Sequence, residues 1–180
     1  MDIYMPMSTT DRHNEIINTF ICEIFPLRKK KEIRALSEQC ALVYWGKKTE
    51  PASFNLVDIS EIEDVSKFTE SVIEHLDYVQ PDFMLFNDNP YLKNSKGLRT
   101  AGQPDLIVEV WSDGNTKNDR AFLQNLYATS DITEHWYIEQ DSNEVICYLG
   151  KNRLENQSLT DILVTRDGLK FDLRYLAIEN

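Results

Sequence analysis

The chain has 180 residues, 42% of them hydrophobic, which is enough apolar material for one domain (residues 1–180) with a buried core. Six glycines and six prolines are too few for a low-complexity or disordered protein. Three scattered cysteines and three scattered histidines form neither a disulfide framework nor a zinc spacing, and a net charge of −11 lowers the expectation of a broad phosphate-binding surface.

Residues 1–7 read as a loose lead-in. Ser8, Thr9, Thr10 and Asp11 are N-cap candidates for a helix from about Arg12, along which Ile16, Ile17, Phe20, Ile21 and Ile24 recur with helical period. His13 sits at the edge of that apolar stripe, and Pro26 ends or kinks the helix. The basic run Arg28-Lys29-Lys30-Lys31 reads as a solvated helix end more readily than as a phosphate contact. Residues 32–38 and 40–45 predict two short strands or one interrupted strand. Residues 58–64 fit a surface helix or an inserted loop, and residues 66–76 carry a weak helical period. Val79 to Phe86 predicts a strand, followed by the turn Asn87-Asp88-Asn89-Pro90 and a polar loop over 93–102. Asp105 to Trp111 predicts the next strand. Thr116 then caps a helix from Lys117 to about Thr129, with Leu123, Leu126 and Tyr127 as its core face. Strands at 135–138 and 145–149 form a hairpin around Asp141-Ser142-Asn143, and two segments around Asp167-Gly168 close the chain. This order predicts a mixed α/β domain without internal repeat or linker.

Two of these strands open with Pro-Asp: Gln80-Pro81-Asp82 and Gln103-Pro104-Asp105. The second keeps Glu109 in mid-strand, where a carboxylate costs several kcal/mol unless it is paired, protonated or bound to a cation. Alternation places Asp105, Ile107, Glu109 and Trp111 on one face. If the two strands are neighbours, Asp82 and Glu109 converge at one sheet edge, a donor set of hard oxygens that suits Mg²⁺ or Mn²⁺.

His13 opening the first helix, Pro81-Asp82, Pro104-Asp105 through Ser112, Asp119-Arg120 with Tyr127, and Glu134-His135-Trp136-Tyr137-Ile138 together resemble the Uma-type restriction endonuclease family, a branch of the PD-(D/E)XK nuclease-like fold. The likeness runs over about residues 8–176. It implies a restriction-endonuclease-like core, a central mixed β-sheet flanked by α-helices, with a metal-dependent phosphodiesterase site acting on DNA. Asp82 and Glu109 match the family's metal-binding acids. Asp105, at the strand's start, matches a turn or capping residue, while His13 and Glu15 fall where the first helix contributes accessory groups.

The chain departs from the family at the lysine. Two residues after the acid stands Trp111, and four residues after Asp119, where relatives commonly carry the lysine, stands Leu123. Lys117, on the first turn of the same helix, is the nearest substitute, against a plain surface role. Arg120 is an accessory phosphate contact or, alternatively, an ion pair with Asp119 or Glu109. Two functional readings follow: a Mg²⁺-dependent endonuclease, or a catalytically impaired nuclease-fold protein that binds a nucleic acid or a protein partner. No signal peptide or bilayer-spanning run is present, so the expectation is a cytoplasmic protein without a membrane partner. Aromatic residues leave a homodimer open.

Overall fold

The computed structural model describes residues 3–4, 10–28, 34–37, 41–43, 57–58, 62–72, 78–79, 81–87, 100–101, 104–129 and 134–179. Three helices are present among them: α1 (Asp11–Arg28), α2 (Val65–Val72) and α3 (Lys117–Thr129). The main sheet contains, in chain order, β1 (Arg34–Ser37), β2 (Phe83–Phe86), β3 (Leu106–Trp111), β4 (Glu134–Glu139), β5 (Glu144–Leu149), β6 (Asn152–Arg153) and β7 (Gln157–Ser158). Across the sheet the order is β6-β5-β4-β3-β2-β1, with β7 also pairing β5. Every pair is antiparallel except β3 with β4. A parallel pair cannot be joined by a tight hairpin, and α3 lies on the connection between these two strands.

The predicted caps position the helices. Thr10 Oγ1 accepts the His13 N–H at 3.1 Å, which fixes the start of α1, and Arg12 ties that first turn to the carbonyls of Gln140 and Leu176. Pro26 is accommodated inside α1, which runs on to Arg28. At α3 the capping is reciprocal. Thr116 Oγ1 accepts the Asp119 N–H at 3.2 Å, and Asp119 Oδ2 accepts the Thr116 N–H at 2.7 Å.

Strand β3 is buried at every position because both of its faces are covered. Leu106, Val108 and Val110 pack with Ile16, Phe20 and Ile24 of α1 and with Phe171, while Ile107 and Trp111 pack with Phe122, Leu126 and Tyr127 of α3. Phe20 lies 5.1 Å from the Phe83 ring and 4.9 Å from the Phe171 ring, so the first helix is held by aromatic contacts to β2 and to the chain's last hairpin. That hairpin pairs β8 (Ile162–Val164) with β9 (Lys170–Asp172). Its turn places Gly168 at φ +79°, a conformation that a side chain disfavours.

Several expectations shift. The single strand expected over Val79 to Phe86 is broken: Tyr78–Val79 pairs with Ala41–Val43 in a separate small sheet, and the main-sheet strand starts only at Phe83. Pro81 has no N–H to give a ladder, so the break falls at the proline. Helix α2 starts at Val65, with Asp64 Oδ1 accepting the Lys67 N–H at 3.0 Å, and residues 62–64 lead into it without helix. Lys29, Lys30, Lys31, Cys40, Trp45 and His75 lie outside the described residues. No helix of the described residues is long and apolar enough to cross a membrane.

Candidate active site

Strands β2 and β3 run antiparallel, so the start of each lies beside the end of the other. Each start carries a Pro-Asp, and the two units do the same local work. Asp105 Oδ2 accepts the Asn87 N–H at 2.7 Å just beyond β2, and Asp82 Oδ2 accepts the Val110 N–H at 2.7 Å toward the end of β3. The echo in the sequence is thus a reciprocal pair of clamps, each giving a backbone donor an anionic acceptor beside its neighbour's start.

Among the described residues, only one end of the ladder gathers further chemistry. Glu109 reaches the α3 side of the sheet and is 6% exposed. Its Oε1 accepts the Tyr127 hydroxyl, and its Oε2 is the acceptor of a long hydrogen bond, 3.4 Å, from the Asp82 N–H. On the other side of Asp82, His13 from the first turn of α1 places Nε2 3.2 Å from Oδ2. Four separate elements therefore meet here: α1 through His13, the turn before β2 through Asp82, β3 through Glu109, and α3 through Tyr127. Burial, and then the neighbouring Asp82 charge, hold the Glu109 pKa well above the ordinary carboxylate range. Asp82 and Glu109 are the two carboxylates that meet at this end of the ladder. They are the residues that fit a hard divalent ion, which takes one or two carboxylates and completes its shell with water. Among the described residues no group of three or more His, Cys, Asp or Glu side chains is placed to hold a metal ion.

None of the remaining candidates bonds the Asp82 or Glu109 side chain among the described residues. Asp105 serves the opposite end of the β2–β3 ladder, as its capping reading implied. Glu15 is exposed on α1, and Lys117 is exposed on the first turn of α3; neither forms an ion pair among the described residues. Arg120 does not pair with Asp119 or Glu109. Its guanidinium bonds Glu139, the Ser112 carbonyl at 3.0 Å and the Asn115 carbonyl at 3.3 Å, and it lies 4.9 Å from the centre of the Trp111 ring. Asp119 is already engaged in the helix cap, so Arg120 fastens the β3–α3 turn to β4. Trp111 and Leu123 are both buried in the apolar cluster beneath α3. Leu123 is one helical turn before Tyr127, so the two share the α3 face that meets Glu109.

Tyr127 was legible as part of the core face and of the family pattern, with no part assigned to its hydroxyl. The clue was the mid-strand glutamate itself. A buried carboxylate needs a donor, and the one hydroxyl on the apolar face of the following helix supplies it.

Residues 66–179 match the Uma2 family model, described as "Putative restriction endonuclease". Among solved structures, the chain is similar to a "putative nuclease belonging to DUF820" from Anabaena variabilis, with a TM-score of 0.63 and 14% identity over 96% of this chain and 84% of that one. At that identity the likeness establishes the fold. No curated protein matches the chain. Since the family model spans more than half of its length, the protein belongs to the Uma2 family of putative restriction endonucleases.

Proposed function

We propose that this protein is a Mg²⁺- or Mn²⁺-dependent endonuclease that hydrolyses DNA phosphodiester bonds. The observation carrying this reading is the convergence of Asp82 and Glu109, with the Asp82 amide 3.4 Å from Glu109 Oε2 at the end of β3. A bound divalent ion at such a pair supplies Lewis acidity toward a phosphodiester and lowers the pKa of a coordinated water. Asp82 and Glu109 would hold that ion. His13 restrains Asp82 from the α1 side, and the Val110 N–H fixes the same oxygen, so the acid is oriented before any ligand arrives. The family supports DNA as the substrate.

A second reading is a nuclease-fold protein that binds nucleic acid or a protein partner without cutting. It is favoured by one specific feature: the two positions where the resemblance calls for lysine hold the buried Trp111 and Leu123, while Lys117 is exposed. Incubating supercoiled and linear DNA with the protein in Mg²⁺, Mn²⁺ or EDTA distinguishes the two. Metal-dependent nicking that Glu109→Gln removes supports the endonuclease, and a further loss in Lys117→Ala gives that lysine its role. Nicking that persists in Glu109→Gln points to a contaminant. Absence of cleavage in every metal, with DNA retained in a gel-shift experiment, supports the binding protein.

A further inference from the structure

Behind the two carboxylates stands a buried hydroxyl to which nothing yet assigns a part in the chemistry. Tyr127 is fully buried on α3, and its ring packs within the cluster that contains Trp111, Phe122, Leu126 and Tyr137. Its hydroxyl reaches out of that cluster to Glu109 Oε1. The other carboxylate oxygen, Oε2, is then the one turned to the Asp82 backbone. A carboxylate's terminal torsion is soft, so without a fixed partner its two oxygens exchange positions freely. Here one oxygen is held by a rigid aromatic side chain, on a helix whose own start is locked by the Thr116–Asp119 cap.

We infer that Tyr127 is a positioning residue: its hydroxyl holds Glu109 so that a single oxygen, Oε2, faces Asp82 and a divalent cation. The inference rests on the metal-site reading proposed above and deepens it. Tyr127 touches neither metal nor substrate and acts through Glu109. A partner in this position sets both the orientation and the donor strength of a ligand, and losing such a partner costs about 10–100-fold in metal affinity. The ring contributes separately to the core, so removing the hydroxyl alone separates positioning from packing.

The test measures Mn²⁺ binding by titration of the free-ion electron paramagnetic resonance signal for the wild type, Tyr127→Phe, Glu109→Gln and Phe122→Leu. Phe122→Leu loosens the same cluster without touching Glu109 and reports what a merely structural loss does. The expected result is an affinity about 10-fold weaker in Tyr127→Phe, near the wild type in Phe122→Leu, and abolished in Glu109→Gln. In any cleavage assay Tyr127→Phe should lower kcat at saturating Mn²⁺ more than it raises the KM for DNA. Wild-type affinity in Tyr127→Phe, with binding lost in Glu109→Gln, overturns the positioning role and leaves the metal site standing. Equal weakening in Tyr127→Phe and Phe122→Leu also overturns it, because packing alone then accounts for the effect. Absence of Mn²⁺ binding by the wild type overturns both readings. Should Tyr127→Phe fail to fold, 3,5-difluorotyrosine at position 127 keeps ring and hydroxyl while changing donor strength; a shifted Mn²⁺ affinity supports the role, and an unchanged one overturns it.

Discussion

Replacing Glu109 with glutamine should make the protein more stable when divalent metal is absent. Glutamine keeps the shape of the side chain, and its Oε1 still accepts the Tyr127 hydroxyl, so the substitution removes a charge and little else. In a buffer alkaline enough to ionise Glu109 despite its raised pKa, that charge sits on a side chain 6% exposed, beside the acid of Asp82. Two unit charges about 4 Å apart repel by about 4 kcal/mol at an effective dielectric of about 20. At Asp82 the Val110 N–H and His13 offset part of this, and glutamine's amide group gives up the long contact with the Asp82 N–H. A net gain of about 1–2 kcal/mol remains, in line with replacing a buried charge by a neutral group of equal volume. For a chain of this size it raises Tm by roughly 2–8 °C. Thermal melts followed by circular dichroism in EDTA measure the difference. Repeated with Mn²⁺, they should show the gap narrow or reverse, because only the wild type then gains binding energy from both acids. A Glu109→Gln protein that melts below the wild type in EDTA would refute the reasoning, since the carboxylate would then be a net support of the fold.

Leu123→Lys places an amine one turn before Tyr127 on the α3 face that meets Glu109; DNA nicking should rise by about 10²-fold or more, and an intact fold with unchanged nicking would show that the scaffold does not accept a lysine there. Asp105→Asn weakens the acceptor for the Asn87 N–H and should cost about 1–2 kcal/mol in urea unfolding while leaving Mn²⁺ affinity untouched; a change in affinity would join the two clamps functionally. His135 is buried, bonded to the Tyr137 hydroxyl and the Gly150 carbonyl, and burial lowers its pKa to about 4. Its unfolded value is about 6.5, so between those values the unfolded chain binds more protons and stability falls as the pH drops through that window, by up to about 3 kcal/mol. Denaturant titrations from pH 7 to pH 4 should show a shallower loss in His135→Gln than in the wild type, and parallel curves would remove His135 from the account.

Local pattern carried the sequence reading furthest where a few neighbouring residues decide the outcome. The stripe of Ile16, Phe20 and Ile24, the Thr116 cap, the Asp141-Ser142-Asn143 turn and the alternation through β3 all concern residues within a helical turn or a hairpin of one another. Asp82 was legible as an acid of the site, but its strand was drawn through Pro81. What parts the chain there is the competition of two different sheets for Val79 and Phe83, which only tertiary pairing decides. Arg120 reads in the sequence as a phosphate contact or an ion pair with Asp119 or Glu109, and its partner Glu139 was missed because it arrives from the next strand, with the whole of α3 between them. The convergence of His13 with Asp82 spans 69 positions, and no local pattern encodes a distance of that kind. Tyr127 was counted in the core face, correctly by burial, because hydrophobic periodicity reads the ring and is silent on where its hydroxyl goes.

The reciprocal clamps have a consequence for how this protein can change over time. Asp82 is one of the two acids that converge at the candidate site and also the fastening for Val110, so losing it loosens the central sheet whatever becomes of the chemistry. Position 123 carries no such double duty: its leucine belongs to the apolar layer beneath α3, and a lysine there would serve the proposed chemistry alone. Folding by itself therefore holds on to the acid and makes no demand for an amine. A substitution at position 123 can be made for chemistry at a cost confined to that apolar layer, whereas none at Asp82 leaves the sheet untouched.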